Sequence, residues 1–359
     1  MRPIAFYAPL KTPNHPTPSG DRQIARNVMS ALEHGFDRPV QLASELRSFE
    51  PAGDAAAQQR ITDQAQAECD RILGDAIKPV IWITYHNYYK APDLLGPVIS
   101  KALGIPYVQI EASRAKSRLT GPWADFAQAA HAASDAADVI FHVTQDDLIA
   151  LQRDRFGSQR IVELPPFLDR DIVGVASDLS GPMLAVGMMR AGDKLASYQL
   201  IAQTLAALTH GDWALDIAGD GHAREEVETL FAPFGDKVQF LGALVPDALE
   251  RLYRSASLFF WPGVNEAFGM VYLEAQASGL PILAQDRPGV RDVLMPGIYP
   301  SPENGPSALA NRLQVLLRDR PLRQDLGQQA QAYVQRKHLR PAAIDVLRKT
   351  LRPLIAEYA

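Results

Sequence analysis

The stretch from Leu258 to Leu294 constrains this chain more than any other, because it turns from strand to helix across one short loop. The apolar run Leu258-Phe-Phe-Trp261 has strand character, Pro262-Gly263 ends it, and a helical pattern runs from Phe268 until Gly279 stops it at a C-cap position. Strand, loop and helix make half of a βαβ unit, which predicts a parallel sheet with helices on its faces. Glu266 falls in the loop, beyond the C-terminal end of the strand, where open α/β sheets take their ligands. Glu274 follows about two helical turns later, among Val271, Leu273 and Ala277, in a segment too apolar to lie wholly in water. Its carboxylate needs a partner: a pair of ligand hydroxyls or a distant arginine would serve.

The rest of the chain repeats this rhythm. Ile4 to Ala8 reads as a first buried strand, a proline-rich loop runs to Ser19-Gly20-Asp21, and a helix follows from about Arg22 to His34. Loops of that length inside a βα unit are more often functional than decorative. Ser19-Gly20 is either an N-cap and turn or a presenter of backbone amides to an anion, which makes Gly20 a candidate contact. The loop lacks Gly-x-Gly-x-x-Gly, which counts against a nicotinamide-binding enzyme. Pro79-Val-Ile-Trp-Ile-Thr-Tyr-His86 is a largely apolar strand ending at a histidine, and Ile105-Pro-Tyr-Val-Gln-Ile-Glu111 is the next, ending at a glutamate. His86 and Glu111 therefore stand at strand ends, as either ligand contacts or satisfied structural groups.

Met183-Leu-Ala-Val-Gly187 opens a second half, and Arg190 and Lys194 follow it closely. A basic pair beside a strand's C-terminal end is either surface charge or a preorganised site for an anionic group. Trp213 to Ala218 and Lys237 to Gly242 read as further strands. The stretch Arg114-Ala-Lys116-Ser-Arg118 with Trp123 is the one locally basic segment, either a solvated loop or a weak contact for an anionic acceptor or a lipid leaflet.

Composition narrows the class. A length of 359 residues suits two ordinary domains, and a net charge of −5 argues against nucleic acid as a partner. Cys69 is the only cysteine, which excludes an intrachain disulfide and fits a reducing compartment. No apolar run has the length of a signal-peptide core or a membrane span, so the expectation is a cytoplasmic protein, peripheral at most at the inner membrane face.

The string Glu266-Ala-Phe-Gly-Met-Val-Tyr-Leu-Glu274-Ala-Gln-Ala-Ser-Gly279-Leu-Pro281 resembles the signature of glycosyltransferase family 4, retaining enzymes of the GT-B fold. The resemblance implies two Rossmann-like, doubly wound parallel-sheet domains of about six strands each, facing one cleft. On that pattern residues 1–168 form an acceptor-side domain, 169–181 a linker, and 182–340 a donor-binding domain, with the last helix, 341–358, packing back on the first. It further implies that Glu274 holds the ribose hydroxyls of a nucleoside diphosphate sugar. Glu266 faces the donor sugar, and amides at Phe268, Gly269 and Met270 meet the sugar and diphosphate. Gly187, Arg190 and Lys194 match the family's Val-Gly-Arg and following lysine, although Met188 stands where the arginine is expected. Phe-Leu-Gly242 lies near the base, and Gly20 borders phosphate and acceptor. Glu111 stands where many members have a histidine that meets the donor sugar, so either Glu111 and His86 share that role or neither has it, and both are candidates for the acceptor and sugar side. The implied reaction is sugar transfer with retention to an acceptor that is a sugar, a lipid or a small molecule, with no cofactor and no metal required. A non-catalytic nucleotide-sugar-binding scaffold and an epimerase of the same fold are the alternatives.

Overall fold

A computed structural model describes residues 1–16, 19–209 and 212–358. Thr17 and Pro18 of the proline-rich loop lie outside the described residues, as do His210, Gly211 and Ala359. The chain divides into two compact units, one of Met1–Asp169 with the chain from Arg340 onward, the other Arg170–Leu339.

The first unit holds β1 (Ile4–Tyr7), α1 (Gly20–Gly35), β2 (Val40–Ser44), α2 (Ala55–Gly74), β3 (Ile81–Asn87), α3 (Gly96–Leu103), β4 (Tyr107–Ala112), α4 (Ala124–Ala136), β5 (Val139–His142), α5 (Gln145–Arg153) and β6 (Arg160–Glu163). All strands are parallel, in the order β2-β1-β3-β4-β5-β6. Both faces of the sheet are covered, which is why its strands are near-continuous apolar runs. Ile4, Phe6, Ile81, Ile83, Val108, Ile110, Val139 and Phe141 share one core with Val28 and Leu32 of α1. Ala5, Tyr7, Trp82, Tyr107 and Ile140 share the other with Cys69 of α2 and Ile99 of α3. Burial, with Asp93, Asp70 and Glu68 nearby, pushes the Cys69 thiol up to about 11, so it is a packing residue.

The second unit holds β7 (Met183–Val186), α6 (Asp193–Ala206), β8 (Leu215–Ala218), α7 (Arg224–Phe231), β9 (Val238–Gly242), α8 (Pro246–Ser255), β10 (Phe259–Phe260), α9 (Met270–Ala277), β11 (Ile282–Leu283), α10 (Val290–Val293), α11 (Gly305–Arg318) and α12 (Arg320–Lys337). Its sheet has five parallel strands, β11-β10-β7-β8-β9, and not six. Breaks at Asp319 and Leu339 separate α11, α12 and α13 (Arg340–Glu357). Ile344, Leu347 and Leu351 of α13 join the core formed by α1 and the first sheet, and Arg348 donates to the Gly35 carbonyl.

Two expectations need correcting. The helix after Glu266 begins at Met270, not Phe268, because Gly269 is its N-cap in a left-handed conformation at φ 72°. The basic segment is not simply a solvated loop: Arg114, its side chain only 4% exposed, pairs with Asp135 at 2.6 Å, and Lys116 pairs with Asp154 at 2.7 Å, while Arg118 is exposed. Among the described residues no helix is long and apolar enough to cross a membrane.

Candidate active site

In each sheet the strand order reverses once, and at such a switch point two neighbouring connections leave in opposite directions and open a crevice at the strand ends. In the second sheet the reversal lies between β7 and β10. The loop after β7 leads to Lys194 on the first turn of α6, and the loop after β10 carries Glu266. Lys194 Nζ donates to Glu266 Oε1. The same oxygen accepts from the indole Nε1 of Trp261 at 2.9 Å, and the ammonium stands 5.3 Å from that ring's centroid. Two further bonds tie the loop to α6: Asn265 Nδ2 to Asp193 Oδ1 at 2.8 Å, and the Val264 amide to Ser197 Oγ at 3.1 Å. The carboxylate of Glu266 is therefore held by one oxygen, from two sides, in a loop pinned to the neighbouring helix.

Trp261 is fully buried, which explains Gly187. A Cβ on Gly187 would sit 2.7 Å from the indole Cη2, so a side chain at the end of β7 and this tryptophan exclude one another. Tyr198 seals the other side, edge-on to the indole with ring centroids 5.1 Å apart. Phe268 is buried, and Gly269 precedes the start of α9, which no side chain caps, on the same loop as Glu266. Gly242 ends β9 at φ 68°. Arg190 is exposed on the loop before α6, so the structure joins Lys194 to Glu266 but leaves Arg190 outside that cluster.

Glu274 accepts from the Tyr253 hydroxyl at 3.1 Å. Burial raises its pKa, while the Tyr253 bond and the charge of Arg170 pull the other way. Burial lowers Arg170 in turn, with Glu274 and Glu250 opposing. The partner that the apolar helix demanded is thus a tyrosine from α8, with an arginine contributing charge. The Tyr253 bond falls on Oε2 of Glu274.

The first sheet reverses between β1 and β3, and the same logic applies. Asp21, in the first turn of α1 beside Gly20, bonds His86 Nδ1 at 3.1 Å, and Glu111 Oε1 lies 3.9 Å from that nitrogen. His86 and Glu111 are both non-glycine residues with positive φ, 65° and 58°. Such backbone costs of order 1–3 kcal/mol each and persists only where surroundings enforce it, most often at functional sites. Burial opposes the charge on His86, yet Glu111 and Asp21 outweigh it and raise its pKa. Burial likewise works against Asp21, but the His86 bond and charge hold it below the usual range. Glu111 is raised by burial, only partly relieved by His86, and its Oε2 and the Tyr85 hydroxyl are buried without a hydrogen bond of ordinary geometry.

Sequence reading found Glu266, Glu274, Lys194, His86 and Glu111 as separate residues. It missed Trp261, Tyr253, Arg170 and Asp21, each of which meets its partner through the fold; only Asp21, an acid at a helix start after a long loop, left a local signal. Among the described residues no group of three His, Cys, Asp or Glu side chains is placed to hold a metal ion.

Residues 188–333 match the family model described as glycosyl transferases group 1. The chain is similar to the sulfoquinovosyl transferase SQD2 of Arabidopsis thaliana, 30% identical over 138 residues, or 36% of this chain and 26% of that protein. It is also similar to a D-inositol 3-phosphate glycosyltransferase of Corynebacterium kroppenstedtii, 29% identical over 53% of this chain and 47% of that one. The chain thus spans between about a quarter and a half of the length of these curated relatives. Among solved structures, sucrose-phosphate synthase from Thermosynechococcus elongatus superposes with a TM-score of 0.74 at 18% identity, covering 99% of this chain and 100% of that one. The fold is the two-domain α/β GT-B architecture.

Proposed function

We propose that this chain, a group 1 glycosyltransferase by the sequence of its second domain, moves a sugar from a nucleoside diphosphate sugar to an acceptor hydroxyl with retention at the anomeric carbon. The observation that carries the reading is the Lys194–Glu266 pair at the switch point of the second sheet, with the start of α9, which no side chain caps, following the same loop.

Chemically, the acceptor oxygen forms a bond to the anomeric carbon as the bond from that carbon to the diphosphate oxygen breaks. The acceptor proton passes to the departing diphosphate. Lys194 and the amides at Phe268 to Met270 neutralise the charge that develops there, and Arg190 adds a second cation from its loop. Glu266, fixed by Trp261, presents its second oxygen to a sugar hydroxyl and tolerates oxocarbenium character. Glu274 anchors the ribose, and Gly187 and Gly242 keep the floor under phosphate and base free of side chains. The acceptor binds the first domain beside Gly20, with His86 and Glu111 on its hydroxyl side. The retaining step assigned here is a same-face displacement, in which the acceptor oxygen approaches from the side on which the diphosphate leaves.

A solved neighbour titled as Anabaena Alr3699/HepE in complex with UDP and glucose, with a TM-score of 0.68 at 14% identity, makes uridine the first base to try. The test is proton NMR of the transfer product formed from UDP-glucose and a panel of sugar acceptors. An axial anomeric product is expected; an equatorial one removes the retaining assignment, and hydrolysis alone removes the transferase one.

A further inference from the structure

Beyond His86 the first unit carries a set of side chains that the reaction above does not use. His86 stacks on Tyr88 with ring centroids 4.9 Å apart, Tyr88 meets Tyr89 at 5.5 Å, and Tyr89 meets Trp123 at 5.7 Å. The chain of rings leads outward from the strand end to two cations. Lys90 Nζ stands 5.7 Å from the Tyr89 centroid and 5.1 Å from that of Trp123; the Arg118 guanidinium stands 5.1 Å and 5.7 Å from the same two rings. The two like charges therefore converge on one aromatic pair. Arg114 and Lys116, close by in sequence, each have an aspartate partner, whereas among the described residues neither Lys90 nor Arg118 forms an ion pair with a carboxylate. The Trp123 indole is itself fixed by donating to the Glu50 carbonyl at 3.1 Å. Ring faces hold a cation in place but do not neutralise it, so the pair remains a preformed anion subsite.

The inner end has the opposite sign. Asp21, Glu111 and Asp147 surround His86, and Asp147, like Glu111, is raised by burial. An anionic group is repelled there, while a neutral hydroxyl finds acceptors for its proton. Charge thus sets the direction in which an acceptor lies.

Resting on the glycosyltransferase reading, we propose that the acceptor is a hydroxyl-bearing molecule carrying a phosphate or carboxylate. Its anion seats between Lys90 and Arg118, and its reacting hydroxyl lies toward His86. The anion's source is a free sugar derivative or a lipid headgroup, and the experiment separates them.

The full chain, saturated with UDP, is titrated calorimetrically with glucose, glucose 6-phosphate and glucuronic acid, and floated with vesicles of phosphatidylcholine alone or with phosphatidylglycerol. The same is done for Lys90→Gln/Arg118→Gln, two changes at surface side chains. The anionic sugars are expected to bind roughly tenfold tighter than glucose, two partly exposed ion pairs together, and to lose that advantage in the double variant. A preference confined to phosphatidylglycerol vesicles, and lost in the double variant, identifies the lipid source. Equal affinity for neutral and anionic ligands, an advantage that survives in the double variant, or no saccharide or vesicle binding overturns the proposal. UDP binding by the double variant must stay at the wild-type level. Absence of binding by UDP, GDP and ADP in the wild type would instead count against the donor reading.

Discussion

Lys194 and Glu266 form an ion pair across the point where the strand order of the second sheet reverses. One residue opens α6 and the other follows β10, so their meeting is a product of the parallel sheet and not of sequence proximity. The arrangement stores a cation where a diphosphate would leave and a carboxylate where a sugar would lie. Neither side chain is loose: the lysine is braced by the Trp261 ring, and the glutamate by the Trp261 N–H.

Lys194→Ala is expected to lower kcat by roughly 10²–10³-fold, the loss typical of removing one preorganised group from a developing anion. Steady-state kinetics with a donor that binds the wild type would measure it. An unchanged kcat would take Lys194 out of the reaction.

Trp261→Phe keeps a ring in the core and deletes the N–H that fixes Glu266. A hydrogen bond to a charged group contributes about 1.5–3 kcal/mol, so a fall of at least about tenfold in kcat is expected, with the donor KM little changed. A rise in donor KM at constant kcat would show instead that Trp261 only shapes the pocket.

Tyr253→Phe removes the hydroxyl that donates to Glu274 and leaves the charge of Arg170 acting on it. Urea unfolding is expected to show a loss of about 1–2 kcal/mol, recovered in part when nucleotide binds and its ribose replaces the lost donor. Equal loss with and without nucleotide would separate Glu274 from the ligand.

The Asp21–His86 bond carries a pH signature. His86 is raised in the fold, so its contribution is complete below its ordinary value, about 6.5, and disappears as pH rises through the folded value. Asp21 is lowered, so its contribution is present above its ordinary value, about 3.9, and disappears as pH falls through the folded value. Asp21→Asn should therefore cost most near pH 5, about 0.5 kcal/mol after solvent screening, and almost nothing at pH 9. Urea unfolding at the two pH values checks this; an equal cost at both would mean the bond is not ionic.

Glu111→Gln removes a buried charge whose second oxygen lacks a hydrogen bond. Above the titration of His86 that charge loses the imidazolium which compensates it, so the variant should be more stable there by about 1 kcal/mol while losing transfer activity. Thermal melts at pH 9 together with transfer assays test both halves. A destabilised variant with full activity would make Glu111 structural.

What could be read from the sequence follows from what is local. The strand, loop and helix around Glu266 are encoded by an apolar run, Pro262-Gly263 and a helical period, and the element stands close to where that pattern put it. β10 and β11 shrink to two residues each because neighbours, not the residues themselves, decide where ladder bonding stops. Side-chain meetings were harder. Tyr253 lies 21 residues from Glu274, and Asp21 lies 65 from His86, so no periodicity links them. Trp261 looked like a strand residue, which it is; that its N–H turns back onto Glu266 depends on the loop's path. The basic segment could not be resolved from sequence, because Arg114 and Lys116 take their aspartates from α4 and the chain end of α5 while Arg118 meets the Tyr89 and Trp123 rings.

The central claim is that the second unit binds a nucleoside diphosphate sugar through Glu274 and Lys194. Thermal melting with UDP, GDP, ADP and their glucose or mannose conjugates tests it most directly, since a ligand at a hundredfold excess over its Kd stabilises by roughly 2.7 kcal/mol. The account predicts a selective upward shift with one base, larger for its sugar conjugate, absent in Glu274→Ala and reduced in Lys194→Ala. No shift with any nucleotide, or a shift that Glu274→Ala retains in full, would contradict it.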